Sequence, residues 1–263
     1  MLALIAITNV GVGDKLMPHN PGGGMQEMRG LTTLCSLGFR PQRVLDIGAN
    51  RGDWTRSVLT MFPHAQFVMI EANIEHAQNG RYRDLLRRGN VTALSAILHD
   101  SSHNVTWNMM KKGKPGTGDS IFQERTRHYF ANGVQLVRQT VKLDELLRQH
   151  RLSNAFDLVK LDIQGAEVAA LRGGLGVLSR AEVVQLELPF VGEYNVGAPR
   201  FSEGISFMDV VGFSPYDIVE QHRLPTTGKQ LFQIDVLFLR KTSPIMRRVQ
   251  ADIDMIGGKR QHG

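Results

Sequence analysis

The sequence has one cysteine, Cys35, which excludes an internal disulfide and any multi-cysteine zinc or iron–sulfur site. It lacks any run approaching about 18 consecutive apolar residues, so no membrane-spanning helix is expected. Internal repeats are absent. Aromatic residues make up only 7% of the chain, and nowhere do they interleave with basic residues in the manner of an RNA-binding signature. The Gly-x-Gly-x-x-Gly fingerprint of a dinucleotide site is also missing. What is present is ordinary globular composition: 263 residues, 42% hydrophobic and 21% charged. That excludes bulk disorder, collagen and coiled coil, and the length suits one α/β domain.

Thirty-one Lys and Arg against twenty-five Asp and Glu give a net charge of +6. Much of the excess is local: Lys111, Lys112 and Lys114 in one cluster, Arg81, Arg83, Arg87 and Arg88 on one helical stretch, and Arg247, Arg248, Lys259 and Arg260 near the end. This reads as solvated surface plus a basic tail, and no nucleic-acid partner is expected. The apolar start Met1–Ile7 is short and has no basic segment before it, unlike a signal peptide, so a cytoplasmic location is expected. Pro18 to Gly24 reads as a mobile lead-in within a segment, 1–42, that is partly flexible or helical.

From about residue 43 apolar runs alternate with helical patterns. Strands are expected at Val44–Ile47, Gln66–Ile70, Val91–Leu98, Phe156–Ile163 and Glu182–Leu188, with late strands at Tyr216–Val219 and Asp235–Arg240. Helices are expected at Trp54–Phe62, Ile74–Arg88, Leu143–His150 and Ala166–Leu178. The rhythm breaks at 99–142, where Asn104–Met109 and Val134–Val141 flank a glycine- and lysine-rich loop; this is an insertion after the third strand. The alternation predicts an α/β fold: a seven-stranded, mostly parallel sheet with helices on both faces and an antiparallel closing pair. One domain spans 43–240, followed by a basic tail at 241–263.

The strongest chemical signal is Val44-Leu45-Asp46-Ile47-Gly48-Ala49-Asn50-Arg51-Gly52-Asp53-Trp54, a strand, a glycine turn and a helix start in order. Gly48 and Gly52 allow a tight turn and close approach to a ligand. Asp46 near the strand tip would repel a pyrophosphate and suit a cationic ligand. Charge complementarity therefore favours S-adenosylmethionine, whose amine and sulfonium are positive, over a nicotinamide dinucleotide. Glu71, 19 residues after Gly52 and at the end of the second strand, is placed to accept ribose hydroxyls.

These residues, with Ile70-Glu71-Ala72-Asn73, resemble the Rossmann-like S-adenosylmethionine-dependent methyltransferases. A second block, Phe156-Asp157-Leu158-Val159-Lys160-Leu161-Asp162-Ile163-Gln164-Gly165-Ala166-Glu167 followed by Leu171-Arg172-Gly173-Gly174, resembles the FkbM-type methyltransferases, which mostly methylate hydroxyls of small molecules and sugars. Their usual motif carries Glu where this chain has Gln164. Val141–Leu146 is similar to a further family segment, with Lys142 in a threonine position. The resemblance covers about 43–240. It implies cofactor contacts from Asp46, Gly48, Ala49, Asn50, Gly52 and Asp53, ribose contacts from Glu71 with Ala72 and Asn73 nearby, an adenine edge from Ser95, Ala96 and Ile97, and Asp162 close to the sulfonium.

Methyl transfer to a hydroxyl is an in-line displacement that requires alignment, exclusion of water and removal of a proton. Asp162 is the first candidate, as base or metal ligand. Lys160, two residues earlier, shares its side of the strand and must be paired. Glu187 ends the fifth strand, and with Asp162 would make an oxygen-ligand pair for Mg²⁺. His222 is a further candidate base, though a lone histidine after a strand also reads as surface. Glu167 reads equally as a helix cap, and Ser120 is a loose candidate.

The expected function is thus O-methylation of a small-molecule or saccharide acceptor of natural-product, glycan or glycolipid type. A nucleic-acid methyltransferase would ordinarily show an Asn-Pro-Pro-(Tyr/Phe)-type motif where Asp162-Ile163-Gln164-Gly165 stands. A non-catalytic cofactor-binding protein is the alternative of a different class, and a homo-oligomer is compatible with either.

Overall fold

The computed structural model describes residues 23–73, 75–76, 80–111, 117–125, 133–224 and 228–258. The central sheet has seven strands: β1 (Arg43–Ile47), β2 (Gln66–Ile70), β3 (Val91–Leu94), β8 (Leu158–Leu161), β9 (Val183–Pro189), β11 (Phe213–Arg223) and β12 (Leu231–Arg240), in the order β11-β12-β9-β8-β1-β2-β3. β1, β2, β3, β8 and β9 pair in parallel, and β12 and β11 close the edge as an antiparallel hairpin. Counting inward from β3, this is the 3-2-1-4-5 order of a doubly wound fold, with its topological switch between β1 and β8. A crevice therefore opens at the carboxyl ends of these two strands. Asp46-Ile47-Gly48 and Leu161-Asp162 occupy those ends.

The parallel strands are almost continuously buried, as a sheet covered on both faces requires. One face packs Leu45, Ile47, Val159, Leu161 and Leu186 against α4 (Leu143–Gln149), α5 (Glu167–Arg172), α6 (Leu175–Leu178) and α7 (Phe201–Val210). The other packs Val44, Leu158, Val183 and Leu237 against α1 (Gly23–Ser36), α2 (Asp53–Met61), α3 (Gly80–Leu86) and the start of α8 (Pro244–Gly258). Among the described residues no helix is long and apolar enough to cross a membrane.

The chain departs from the sequence expectation in several places. The expected strand Val91–Leu98 is two: β3 stops at Leu94, the chain leaves the main sheet at Ser95-Ala96, and β4 (Ile97–Leu98) pairs with the insertion. The expected helix Ala166–Leu178 breaks at Gly173-Gly174. There a Cβ on Gly173 would lie 2.3 Å from the His99 carbonyl oxygen, so the backbone packs too tightly for any larger residue. Of the expected helix Ile74–Arg88, Gly80–Leu86 is helical, and residues 74 and 77–79 lie outside the described residues. α7 is a helix where no element was expected, and the late strands are longer than expected. Of the basic tail, the part in α8 is docked: Ile245 is buried and Arg248 donates to the Leu37 carbonyl, while residues 259–263 lie outside the described residues.

The insertion is a hairpin of β5 (Asn104–Met110) and β7 (Gly133–Val141) that folds back over the crevice. Residues 112–116, within the expected loop, lie outside the described residues. A two-residue strand, β6 (Gln123–Glu124), pairs with β10 (Asn195–Val196), which ties the insertion to the segment after β9.

Candidate active site

The turn after β1 is held to β2. The amides of Gly48 and Ala49 donate to the Ile70 carbonyl at 2.9 and 3.1 Å. Gly48 has φ +78°, and a Cβ there would sit 1.9 Å from the Asp162 carbonyl oxygen; a side chain is excluded by conformation and by space. Asn50 follows with φ +47°, a conformation non-glycine residues adopt rarely and mostly at constrained sites.

Glu71 stands between two turns. Its Oε2 accepts from the Asn50 amide at 2.7 Å and its Oε1 from the Asn73 amide at 2.8 Å. Burial pushes its carboxyl up to about 7 in spite of these two donors. The Asn73 side chain donates to Asp119 at 2.7 Å, so the insertion closes on this corner. Ser95, Ala96, Ile97 and Ala72 flank the same rim, with the Ser95 hydroxyl reaching the Ala72 carbonyl. Asp53 faces outward, half exposed, against Arg81.

Asp46 corrects the sequence expectation. It does not present a charge to the crevice but is fully buried: Oδ2 accepts from Thr55 Oγ1 at 2.5 Å, and Oδ1 has no hydrogen-bond partner among the described residues and lies 3.8 Å from Lys160 Nζ. Burial raises its pKa, and the Lys160 charge opposes the rise.

The tip of β8 gathers most of the other candidates. Lys160 Nζ lies 3.2 Å from Asp162 Oδ2. Burial acts to raise the Asp162 carboxyl, but Lys160 and the Gln164 amide outweigh it and hold the group below the usual carboxylate range. Gln164, at φ +57°, donates its side-chain amide to Asp162 Oδ1 at 3.0 Å and to Glu187 Oε2 at 2.8 Å. An amide therefore fills the gap in which an Asp162–Glu187 pair was expected to hold Mg²⁺, and that pairing is not formed. The Gln164 carbonyl accepts from Ser120 Oγ at 2.9 Å and Asn195 Nδ2 at 2.8 Å, so Ser120 braces the loop from the insertion. Glu167, the first residue of α5, braces the turn before its helix: its carboxylate accepts from the amides of Ile163 and Gly165 at 2.8 and 3.0 Å, and burial pushes it up to about 7.

His222 is not a loop residue. It lies on β11, with Nε2 3.4 Å from Asp235 Oδ1 and 3.9 Å from Glu187 Oε1. Burial draws its pKa down, but Asp235 overrides this, with Glu220 and Asp162 adding to the net rise. Glu187 is raised well above the usual range by burial and by the nearby Asp162 and Asp235. Sequence reasoning missed Asp235 and Gln185, joined by a 3.0 Å hydrogen bond. The signal was there: in register, Asp46, Lys160 and Gln185 stand side by side on adjacent strands, and Asp235 pairs with Glu187. Each is a polar residue in an otherwise apolar run, and together they form a polar band across one face at the crevice end of the sheet.

From Glu187 a groove of about 650 Å³ opens outward between the segment after β9 and α7, lined by Phe190, Tyr194, Phe201 and Gln233 among others. It provides room for a second molecule beside Glu187.

Residues 46–215 match the model of the methyltransferase FkbM domain. The chain belongs to the FkbM methyltransferase family. This FkbM chain is accordingly an S-adenosylmethionine-dependent methyltransferase. No curated protein sequence matches it significantly. Solved structures similar to it include the precorrin-6y C5,15-methyltransferase of Geobacter metallireducens (14% identity, 80% of this chain and 86% of that chain, TM-score 0.43). Others are the magnesium protoporphyrin IX methyltransferase of Synechocystis with bound S-adenosylmethionine (15%, 87% and 86%, 0.44) and a methyltransferase of Aquifex aeolicus (14%, 83% and 93%, 0.41).

Proposed function

We propose that this FkbM chain is an O-methyltransferase that methylates a hydroxyl of a small molecule or saccharide. The observation that carries the reading is the Lys160–Asp162–Gln164–Glu187 cluster, set at the switch point of the sheet with a groove opening from Glu187. The crevice suits the cofactor: Glu71 and Asp162 place carboxylates at the rim for a ligand bearing a vicinal diol and positive charge, and the bare backbone at Gly48 lets it approach. When bound, S-adenosylmethionine supplies a methyl carbon activated by its sulfonium.

The remaining work falls to the protein. Asn50 and Asn73 fix the Glu71 carboxylate, which accepts the ribose hydroxyls. Gly48, Ala49, Asn50 and Gly52 shape the turn beneath the methionyl part; Asp46 acts at one remove, through Thr55 and Lys160. Ala72, Ser95, Ala96 and Ile97 border the base. Lys160 and Gln164 keep Asp162 ionised and oriented beside the reacting centre. There it accepts a hydrogen bond from the acceptor hydroxyl and takes its proton as the new C–O bond forms and the C–S bond breaks. Glu187 and His222 lie on the acceptor side.

The test is transfer of labelled methyl from S-adenosylmethionine to separate panels of hydroxylated small molecules, saccharides and RNA. Label bound as an ether to a small molecule or saccharide is expected, and Asp162→Asn should slow its appearance about 10²- to 10⁴-fold while cofactor affinity changes far less. Label confined to RNA, or to carbon or nitrogen atoms of the acceptor, overturns the proposal.

A further inference from the structure

We infer that Glu187, His222 and Asp235 form a binding site for one divalent transition-metal cation of the Mn²⁺ or Zn²⁺ class. The three side chains come from three neighbouring strands, β9, β11 and β12, and each offers one ligand atom within 4.8 Å of the others. The separations decide what joins them. His222 Nε2 is 3.4 Å from Asp235 Oδ1 and 3.9 Å from Glu187 Oε1. The contact with Asp235 is a long hydrogen bond, well beyond the about 2.7–2.9 Å of a strong charge-assisted one, and Glu187 lies outside hydrogen-bond reach, so one proton does not join all three groups. Ligands bound at about 2.0–2.2 Å to a common cation stand about 3–4 Å apart, which is the spacing of His222 Nε2 from both carboxylate oxygens.

The outer oxygens are already engaged. Glu187 Oε2 accepts from the Gln164 amide at 2.8 Å, and Asp235 Oδ2 accepts from the Gln185 amide at 3.0 Å. Two neutral amides thus hold the carboxylates so that Oε1 and Oδ1 both turn toward His222 Nε2. Such outer hydrogen bonds typically orient the ligands of a metal. Glu187 is 6% and Asp235 3% exposed, and Asp162 lies just beyond Gln164. Buried carboxylates in this number are normally paired with cations or coordinate metals. Lys160 makes its ion pairs with Asp162 and Asp46, and its charge draws Glu187 down without overcoming burial and the neighbouring carboxylates.

One imidazole nitrogen with two carboxylate oxygens suits Mn²⁺, Fe²⁺ or Zn²⁺ better than Mg²⁺ or Ca²⁺, which favour all-oxygen sets. His222 keeps 30% of its side chain exposed, and the groove beginning at Glu187 gives the ion an entry path and room for further ligands. The chemical use of the site rests on the O-methylation proposed above. A hydroxyl bound there would be acidified, and Asp162, across Gln164 from Glu187, would take its proton. Binding of the ion rests on the geometry alone.

The test uses the full chain freed of metal by chelator, titrated with Mn²⁺ and followed by calorimetry and by the paramagnetic resonance of the free ion. One Mn²⁺ per chain is expected, with competition by Zn²⁺ and tenfold or greater weakening in His222→Ala and in Asp235→Asn. Glu145→Gln, on an exposed helix surface, should bind as the parent does. Circular dichroism verifies folding; should Asp235→Asn unfold, the partly exposed His222→Ala decides. No stoichiometric uptake, or uptake unchanged in His222→Ala, overturns the site. The two proposals fail separately: hydroxyl methylation at full rate in chelator without Mn²⁺ uptake removes the site and keeps the O-methyltransferase, while uptake without ether formation does the reverse.

Discussion

Gln164 donates its side-chain amide to two carboxylates at once, Asp162 at 3.0 Å and Glu187 at 2.8 Å. Its backbone is left-handed, at φ +57°, and its carbonyl is braced by Ser120 and Asn195. The amide keeps two acidic groups at a fixed spacing without adding charge. Gln164→Ala removes that donor and is expected to cost about 1–3 kcal/mol of stability, since buried acceptors lose their partner. Gln164→Glu places a third carboxylate among the other two and should cost more in metal-free buffer. Denaturant unfolding of the three proteins measures both. An alanine variant as stable as the parent would show that the amide is not what holds the pair.

Lys160 lies between Asp162 and Asp46, 3.2 and 3.8 Å from their oxygens, and is 5% exposed. Removing one member of a buried ionic group leaves charge uncompensated, at a typical cost of about 3–5 kcal/mol. Lys160→Met is expected to fall in that range. Combining it with Asp46→Asn should recover part of the loss, because the second change removes a carboxylate that the lysine no longer balances. A double-mutant cycle in urea gives the coupling. Strict additivity would mean that Lys160 and Asp46 do not interact across their 3.8 Å separation.

The local chemistry of the chain made much of this legible. Gly48 and Glu71 announced themselves because a strand followed by a glycine turn, then an acidic residue at the next strand end, has few other uses. Asp162 and Lys160 stood out as charges in an apolar strand. Asp235 obeyed the same rule but lies on the antiparallel edge, and its meaning depends on being in register with Glu187, a pairing some 50 residues distant. Asp46 was placed at the rim because its position in the strand is readable, whereas its burial under Thr55 depends on how α2 lies over β1. The break at Gly173-Gly174 was hidden for a like reason: the pattern is helical, and the His99 and Lys142 backbone packed against Gly173 is seen only in the folded chain.

Gly48→Ala tests the closeness of β1 and β8. The added carbon would meet the Asp162 backbone oxygen at 1.9 Å, and φ +78° is itself costly for alanine, by about 1–3 kcal/mol. Backbone cannot step aside as a side chain can. Loss of cofactor binding, together with a clear fall in thermal midpoint, is expected. Gly52→Ala shares the conformational cost at φ +79°, but its new carbon meets the tip of Leu85, which can rotate. It should therefore be the milder change. Calorimetry with S-adenosylhomocysteine ranks the two, and the reverse order would contradict the geometry.

Glu71 should make cofactor affinity depend on pH. Its carboxyl is pushed up to about 7 by burial, and only the ionised form accepts both ribose hydroxyls. Below pH 7 the cofactor must bind a protein whose competent form is the minority, so the apparent Kd should rise by up to about tenfold per pH unit between 7 and 5. Above about pH 8 it should be flat. The same shift acts on the empty protein with a definite sign. The folded-state value lies above the unfolded one, so the contribution of Glu71 to stability is complete below about 4.5 and is lost as pH rises through about 7. Glu71→Gln removes both dependences. It should bind the cofactor weakly at every pH, and the parent's decline in thermal midpoint between pH 5 and 8 should shrink in the variant. Glu167, also near 7, keeps its own share of that decline. If the affinity of the parent proves level from pH 5 to 8, the carboxylate does not hold the ribose.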